Sequence, residues 1–598
     1  MGGAKQHIVD LLRPHATAPG SGTAIEHGQR SVTYREIVEL VDDRAAELRR
    51  CGAGGALIAI ERRKSLEFVV DFLAVYAVGG TAIPLDPDLP ADRRATFAAL
   101  TRPRFVLRDA SVVPIEGGRD PGASEVPADA AFIYFTSGST GIPKPVLGSA
   151  SAQWTFLRWF CPEFGVGAGD RFAFMSGLSF EASLRDIFPP LAGGATLVIP
   201  EDADSESPET TVGWLAEQRI TVLTAVPSVA RSWLRHGRTP CPDVRAVFFV
   251  GEPLATDVLD AWPTVFPRTG IRVNSYGSTE GGQATIVRRV AAGERFADRV
   301  PAGRPVPGTR FCLIDPAARL DAALVRSALA TPDPAATGEI VVVSRSCSHG
   351  YLGLPGEQSA RFADLGDGVT AYRTGDLGRV DAEGELVVIG RADDEVKING
   401  VRVHPAEVTR AVRAQRGVAD AFVVATEGGL AAFVVPAEGG PLAVPELRRA
   451  LLDVLPLAMI PARFVETDAL PTLRTGKVDR TELVRRASLD AAREAYVAPA
   501  NDVEEWLADA FGELLEVDRP SATDDFFALG GDSIAATRLS ARITRDFGVA
   551  LTQRDVFAAA TLTGIGEAIL EQQLLAADPA ELAVLLDALD EAGLGAVG

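Results

Sequence analysis

The nine residues from Thr136 to Lys144 hold two glycines, four hydroxyls and one lysine. Glycines let a backbone turn sharply and present its N–H groups. The hydroxyls add short donors, and Lys144 adds positive charge. Such a loop can cradle a polyanion, most simply a nucleoside triphosphate, through Thr136, Ser137, Gly138, Ser139, Thr140, Gly141 and Lys144. The usual phosphate loop ends in Gly-Lys-Ser/Thr, and this one does not. Lys144 stands between Pro143 and Pro145, so no helix is expected to start directly after it. Taken alone, the same residues would also suit a polar surface turn.

The loop must be held by its neighbours. An apolar run, Ala131 to Phe135, predicts a buried strand leading into it. From Ile25 to about Ile199, strand-like runs such as 56–60 and 81–85 alternate with helical stretches such as 66–78. A second region of this kind spans about 212–290, with runs at 222–226 and 246–250. The alternation predicts mainly parallel sheets covered by helices, an α/β class. From about Gly303 to Gly390 short strands and Gly-rich turns suggest a small barrel or distorted sheet. The predicted boundaries are a core over 1–390, a small α+β subdomain over 391–492, a linker over 493–500 and an all-α domain of four helices over 501–575. An acidic tail over 576–598 places Leu582, Leu585, Leu586 and Leu589 on one helical face. That face suits packing on a neighbouring helix or docking of a partner protein.

Bulk properties narrow the function classes. A chain of 598 residues is too long for one core. A net charge of −21 argues against a general nucleic-acid binder. The five cysteines are scattered, with no Cys-x-x-Cys pair, as expected for free thiols in a reducing compartment. The six histidines show no metal-ligand spacing. Neither a signal core nor a run of about 18 apolar residues is present, so a cytoplasmic, non-membrane protein is expected.

Further motifs line up at long separations: Tyr276-Gly277-Ser278-Thr279-Glu280, Tyr372-Arg373-Thr374-Gly375-Asp376-Leu377, and Gly390-Arg391-Ala392-Asp393 running on to Lys397-Ile398-Asn399-Gly400. Leu470-Pro471-Thr472-Leu473-Arg474-Thr475-Gly476-Lys477 and Asp525-Phe526-Phe527-Ala528-Leu529-Gly530-Gly531-Asp532-Ser533 come later. With the first loop, this ordered set resembles the acyl-adenylate-forming enzymes. It is most similar to a nonribosomal peptide synthetase adenylation domain followed by a peptidyl carrier domain. The resemblance covers about Ser31 to Gln572.

The resemblance implies an ATP-dependent acid–thiol ligase working in nonribosomal peptide or related secondary-metabolite biosynthesis. An amino or related carboxylic acid is joined to the α-phosphate of ATP, pyrophosphate leaves, and the acyl group passes to a thiol. Carboxylate and triphosphate repel, so the site must supply cations and donors. By resemblance, Lys477 bridges the substrate carboxylate and the phosphate. Glu280 offers a carboxylate to Mg²⁺, with the Thr279 hydroxyl nearby. Tyr276 stacks on adenine, Asp376 and Arg391 hold the ribose, and Gly251 and Glu252 lie near the nucleotide. Ser533, at the start of a predicted helix, would carry 4'-phosphopantetheine attached by a separate phosphopantetheinyl transferase. Asp393 matches a hinge about which the C-terminal subdomain rotates, bringing Lys397 and Gly400 to the site for thiolation.

The matching substrate-pocket positions are Glu181, Ala182, Arg185, Thr224, Phe248, Val250, Ser275, Gln283 and Ala284, closed by Lys477. The family commonly has Asp where Glu181 stands. Arg185 is also unusual and suits an anion. One expectation is therefore an anionic or otherwise non-standard acid. Another is an internal Glu181–Arg185 pair, four residues apart on a predicted helix, with an ordinary substrate. Expected partners are a downstream synthetase or tailoring enzyme and an accessory protein of the MbtH-like type. A free-standing protein is expected, with no condensation domain before residue 20 and no thioesterase after 576. The rival functions are a coenzyme A ligase, which would not need Ser533, and a non-catalytic scaffold presenting the carrier.

Overall fold

The structure is a computed structural model. It describes residues 9–18, 21–119, 125–137, 142–205, 207–296, 299–330, 337–392, 395–398, 401–426, 429–437, 442–471, 478–489, 496–515, 517–531 and 533–576. Gly138, Ser139, Thr140, Gly141, Asp393, Gly400 and Lys477, the side chain of Ser533 and the acidic tail beyond residue 576 lie outside what is described. The chain divides into two compact units, Met1–Glu407 and Val408–Gly598.

The first unit is built on two large sheets. One has six strands, in the order Ser111–Pro114, Phe105–Arg108, Leu57–Glu61, Thr81–Pro84, Ala130–Thr136 and Lys144–Ser149. Its inner pairs are parallel and its two edge pairs antiparallel. The other has nine strands and runs parallel from Ile271–Ser278 through Ala246–Val250, Val222–Ala225, Arg171–Ala173 and Thr196–Ile199 to Thr23–His27. The two alternating regions of the sequence do not each form their own sheet. Strands 23–27, 171–173 and 196–199 from the first region join the sheet of the second.

The helix Leu66–Ala77 shows why the sheets hold together. Ser65 caps it by accepting from the Phe68 N–H. It is apolar almost all round, as a helix with no water-facing side must be. Its Phe72 ring lies 5.7 Å from Phe188 of the helix Ser183–Gly193. Both helices sit in one core with Ile58 and Tyr134 of the first sheet and Phe172, Leu197 and Phe248 of the second. The segment predicted as a small barrel forms a five-stranded antiparallel sheet from Thr309–Ile314 to Leu386–Arg391. After it comes the hairpin Val396–Ile398 and Val401–Val403.

The second unit opens on a three-stranded sheet, Val418–Thr426, Gly429–Pro436 and Arg463–Glu466, with the helices Val444–Val454 and Arg480–Leu489. Four helices follow: Asp502–Leu515, Ser533–Phe547, Gln553–Ala559 and Leu562–Ala576. They close around Phe511, Phe526 and Phe557, with Phe527 stacked on Phe557 at 3.9 Å. The sequence places a boundary near 390, whereas the compact units part at Glu407/Val408. The hairpin accounts for the difference, because its Arg402 is bound to Glu280 of the first unit.

Candidate active site

Three elements of the first unit meet at Glu280. The strand Ala130–Thr136 ends on Thr136, which pairs with Lys144 across the hairpin. The antiparallel pair Ile271–Ser278 and Gln283–Val290 turns through Thr279 and Glu280. That turn needs glycine: a Cβ on Gly277 would lie 1.6 Å from the Gln283 carbonyl oxygen. The third element is the hairpin carrying Arg402.

Glu280 is 1% exposed, and its carboxylate is well supplied with donors. Oε1 accepts from Thr136 Oγ1 and from Tyr351 Oη, each at 3.0 Å. Oε2 accepts from Arg402 at 2.8 Å. Burial pushes the carboxyl up, but Arg402 and the donors outweigh it and hold Glu280 below the usual carboxylate range. Arg402 also grips Glu395 with two bonds, of 2.7 and 2.9 Å. Neither Arg402 nor Tyr351 was singled out from the sequence, and Glu395 was given no role. Nothing local marks these residues, because Arg402 finds Glu280 across 122 positions.

Around this centre lie the groups expected to meet a nucleotide. Asp376 accepts from Tyr276 Oη and from Arg391, both at 2.6 Å. Tyr276 and Arg391 are thereby gathered on one carboxylate, and burial beside Asp376 pushes the Tyr276 hydroxyl well up. Lys144 is buried, donates to Glu357 at 2.7 Å and lies 5.4 Å from the centre of the Tyr351 ring. Ser137 Oγ is buried without a partner. Ser137, Lys144, Glu280, Arg361, Glu395 and Arg402 border one small cleft. The cations here are each paired with a carboxylate, Lys144 with Glu357, Arg361 with Glu339 and Arg402 with Glu280 and Glu395, and the Ser137 hydroxyl is left open to a ligand.

A second cleft also borders Arg402. Glu181, Ala182, Arg185, Val250, Gly251, Ser275, Thr279 and Lys397 line it. Burial pushes the Lys397 ammonium down, with Asp376 acting against that. The helix Ser183–Gly193 starts one residue after Ala182, so Glu181 precedes it rather than lying on its face. The other expected pocket residues are turned to packing. Phe248 lies 4.7 and 4.8 Å from the Phe160 and Phe164 rings. Gln283 donates to Gln153, Ala284 joins the core, and Thr224 is buried beside Asp186. Glu252 accepts from Ser228 N and Oγ at 3.0 and 3.1 Å, at the start of the helix Pro227–His236.

In the second unit, Ser533 is the first residue of the helix Ser533–Phe547. The turn before it depends on glycine. Gly530 has φ +100°, and a Cβ on Gly531 would lie 2.4 Å from the Phe526 ring. A helix start favours the negative charge of a phosphodiester on its first residue. Mg²⁺ fares differently at Glu280. Arg402 already neutralises that carboxylate, so the residues as arranged do not fit a metal ion there unless Arg402 leaves. Among the described residues no cluster of three or more His, Cys, Asp or Glu could hold a metal. Among them, too, no helix is long and apolar enough to cross a membrane.

Comparison with known proteins agrees with this architecture. A profile described as AMP-binding enzyme matches residues 12–352, and one described as phosphopantetheine attachment site matches 505–569. Tyrocidine synthase 3 of Brevibacillus parabrevis is 30% identical over 92% of this chain, which covers 9% of that protein. Isonitrile lipopeptide synthase of Streptomyces coeruleorubidus is 31% identical over 92% of this chain and 39% of its own length. The chain thus spans well under half of these curated relatives. The solved structure of holo-PA1221, a protein with adenylation and carrier domains, shares the fold with a TM-score of 0.74. It is 24% identical and covers 95% of this chain and 97% of its own. The crystal structure of IdnL1 is 29% identical with a TM-score of 0.65, over 79% of this chain and all of its own.

Proposed function

The chain belongs to the AMP-binding enzyme family, and we propose that it activates an amino or related carboxylic acid with ATP and loads it onto its own carrier. The carrying observation is that an AMP-binding core and a phosphopantetheine attachment site occur in one chain. An attachment site is superfluous to a ligase that uses free coenzyme A.

Thr136, Ser137 and Lys144 would hold the phosphates, and Asp376 with Arg391 the ribose. The carboxylate oxygen attacks the α-phosphorus, the bond to the bridging oxygen breaks, and pyrophosphate leaves with its electron pair. Lys477 is assigned from its motif to the reacting oxygens. Ser533 would hold a phosphopantetheine arm, whose thiol would supply the acceptor for the acyl group with AMP as the leaving group. Lys397 and Arg402 border the cleft, and Lys397 with Gly400 is assigned to the thiolation step from the motif. With Arg402 on Glu280 at 2.8 Å, the carboxylate expected to bind Mg²⁺ is already taken.

The carrier implies a phosphopantetheinyl transferase and a downstream enzyme that accepts the acyl group. An MbtH-like accessory protein belongs to the same proposal. Acid-dependent exchange of pyrophosphate into ATP tests the first half. Mass analysis of Ser533 after priming tests the second. Exchange with no acid in a broad panel would refute the reading.

A further inference from the structure

The cavity beyond Thr279 contains two opposite charges that form no ion pair with each other. Glu181 is 6% and Arg185 8% exposed. Both line the cavity. No ion pair joins them among the described residues, and Glu181 Oε1 and Arg185 Nε are buried without any hydrogen-bond partner. The cause is local. Leu184 N and Arg185 N bond to the carbonyls of Glu181 and Ala182, closing the first tight turn ahead of the helix Ser183–Gly193. Glu181 therefore stands outside the helical repeat that would have set it over Arg185. The mutual neutralisation that the sequence spacing allowed is not what the fold makes.

Burial pushes the Glu181 carboxyl up and disfavours charge on Arg185, each only partly relieved by the other. Asp186 adds a second carboxylate field at Arg185, but among the described residues neither carboxylate bonds the guanidinium, which stays protonated and keeps its Nε open to a ligand. A buried unmet charge costs stability, and a ligand supplying the missing partner recovers that cost on binding. The other cations at this cavity have employment: Arg402 holds Glu280 and Glu395, and Lys397 lies in the field of Asp376.

Resting on the adenylation reading above, we propose that the acid selected here is an amino acid with an anionic side-chain end. Its ammonium meets Glu181 and its second anionic group meets Arg185. The carboxylate to be activated is left to face the phosphate side of the cleft. A guanidinium suits a carboxylate because two parallel donors match two oxygens.

Pyrophosphate exchange with aspartate, glutamate and 2-aminoadipate, set against asparagine, glutamine, alanine and amine-free succinate, tests the assignment. At least one anionic amino acid should exceed its neutral isostere about tenfold or more in kcat/KM. Arg185→Met should erase that ratio, Arg185→Lys should keep most of it, and Glu181→Gln should narrow the margin of amino acid over succinate. A wild-type preference for neutral amino acids overturns the proposal and leaves adenylation standing. Exchange with no acid at all overturns both.

Discussion

Arg402 and Arg185 border the same cavity, and the fold treats them in opposite ways. Arg402 lies between two carboxylates, Glu280 and Glu395, with every distance at or below 2.9 Å. Arg185 has Glu181 close by in sequence but meets it in no ion pair, and its Nε has no partner. Burying a paired charge and burying an open one are different investments. The first fixes the position of a loop and a strand turn. The second holds a charge ready for something that the chain does not contain. Arg448 in the second unit falls between them. It donates to Asp525 at 2.8 Å and lies 5.3 and 5.6 Å from the centres of the Phe464 and Phe527 rings, yet its Nε and second terminal nitrogen are unmet.

The same cut at each arginine should rank the three sites. Arg402→Met takes the cation from buried Glu280 and leaves Glu395 only its 3.3 Å pair with Arg391, and should cost about 3–5 kcal/mol, read as the largest fall in melting temperature. Arg448→Met loses one charged hydrogen bond and two ring contacts, with Asp525 partly open to water. A loss of about 1.5–3 kcal/mol is expected. Arg185→Met removes a charge with nothing bound to it and should lie within about 1 kcal/mol of the parent, or above it. Equal losses at Arg402 and Arg185 would collapse the comparison.

The two glutamates should answer pH with opposite slopes. Glu280 is held below 4.5, the value of an unperturbed glutamate, so the unfolded chain binds more protons in the window below 4.5. Its contribution is present above that value and is lost as pH falls through the folded value. Glu181 is held above 4.5, so the folded chain binds more protons in the window above 4.5. Its effect on stability is a decline as pH rises from 4.5 through the folded value. Melting temperatures across pH for Glu280→Gln and Glu181→Gln, each against the parent, separate the two slopes. Slopes of one sign would contradict the charge assignments.

The sequence disclosed the strands better than their grouping. Runs at 56–60, 81–85, 131–135, 222–226 and 246–250 all became strands, because continuous apolar stretches bounded by polar turns fit a sheet buried on both faces. Sheet membership was hidden, since strands 23–27 and 196–199 pair across about 170 positions. Thr136, Tyr276, Glu280, Asp376 and Arg391 were legible as members of motifs, and the structure brings them together in two hydrogen-bonded clusters. Arg402, Tyr351 and Glu395 were not, because a long-range ion pair leaves no periodic trace. At Glu181 and Arg185 the helical spacing suggested a pair, but the helix starts at Ser183, two residues after Glu181, and no ion pair joins the two among the described residues.

The adenylation account is tested most directly on intact protein bearing its pantetheine arm, incubated with ATP and each acid of the panel in turn and then weighed. Ser533 should gain one acyl group from at least one acid while pyrophosphate is released, and Lys477→Ala should slow that gain about 10²–10³-fold. An unchanged mass with every acid of the panel, and no pyrophosphate, would contradict it.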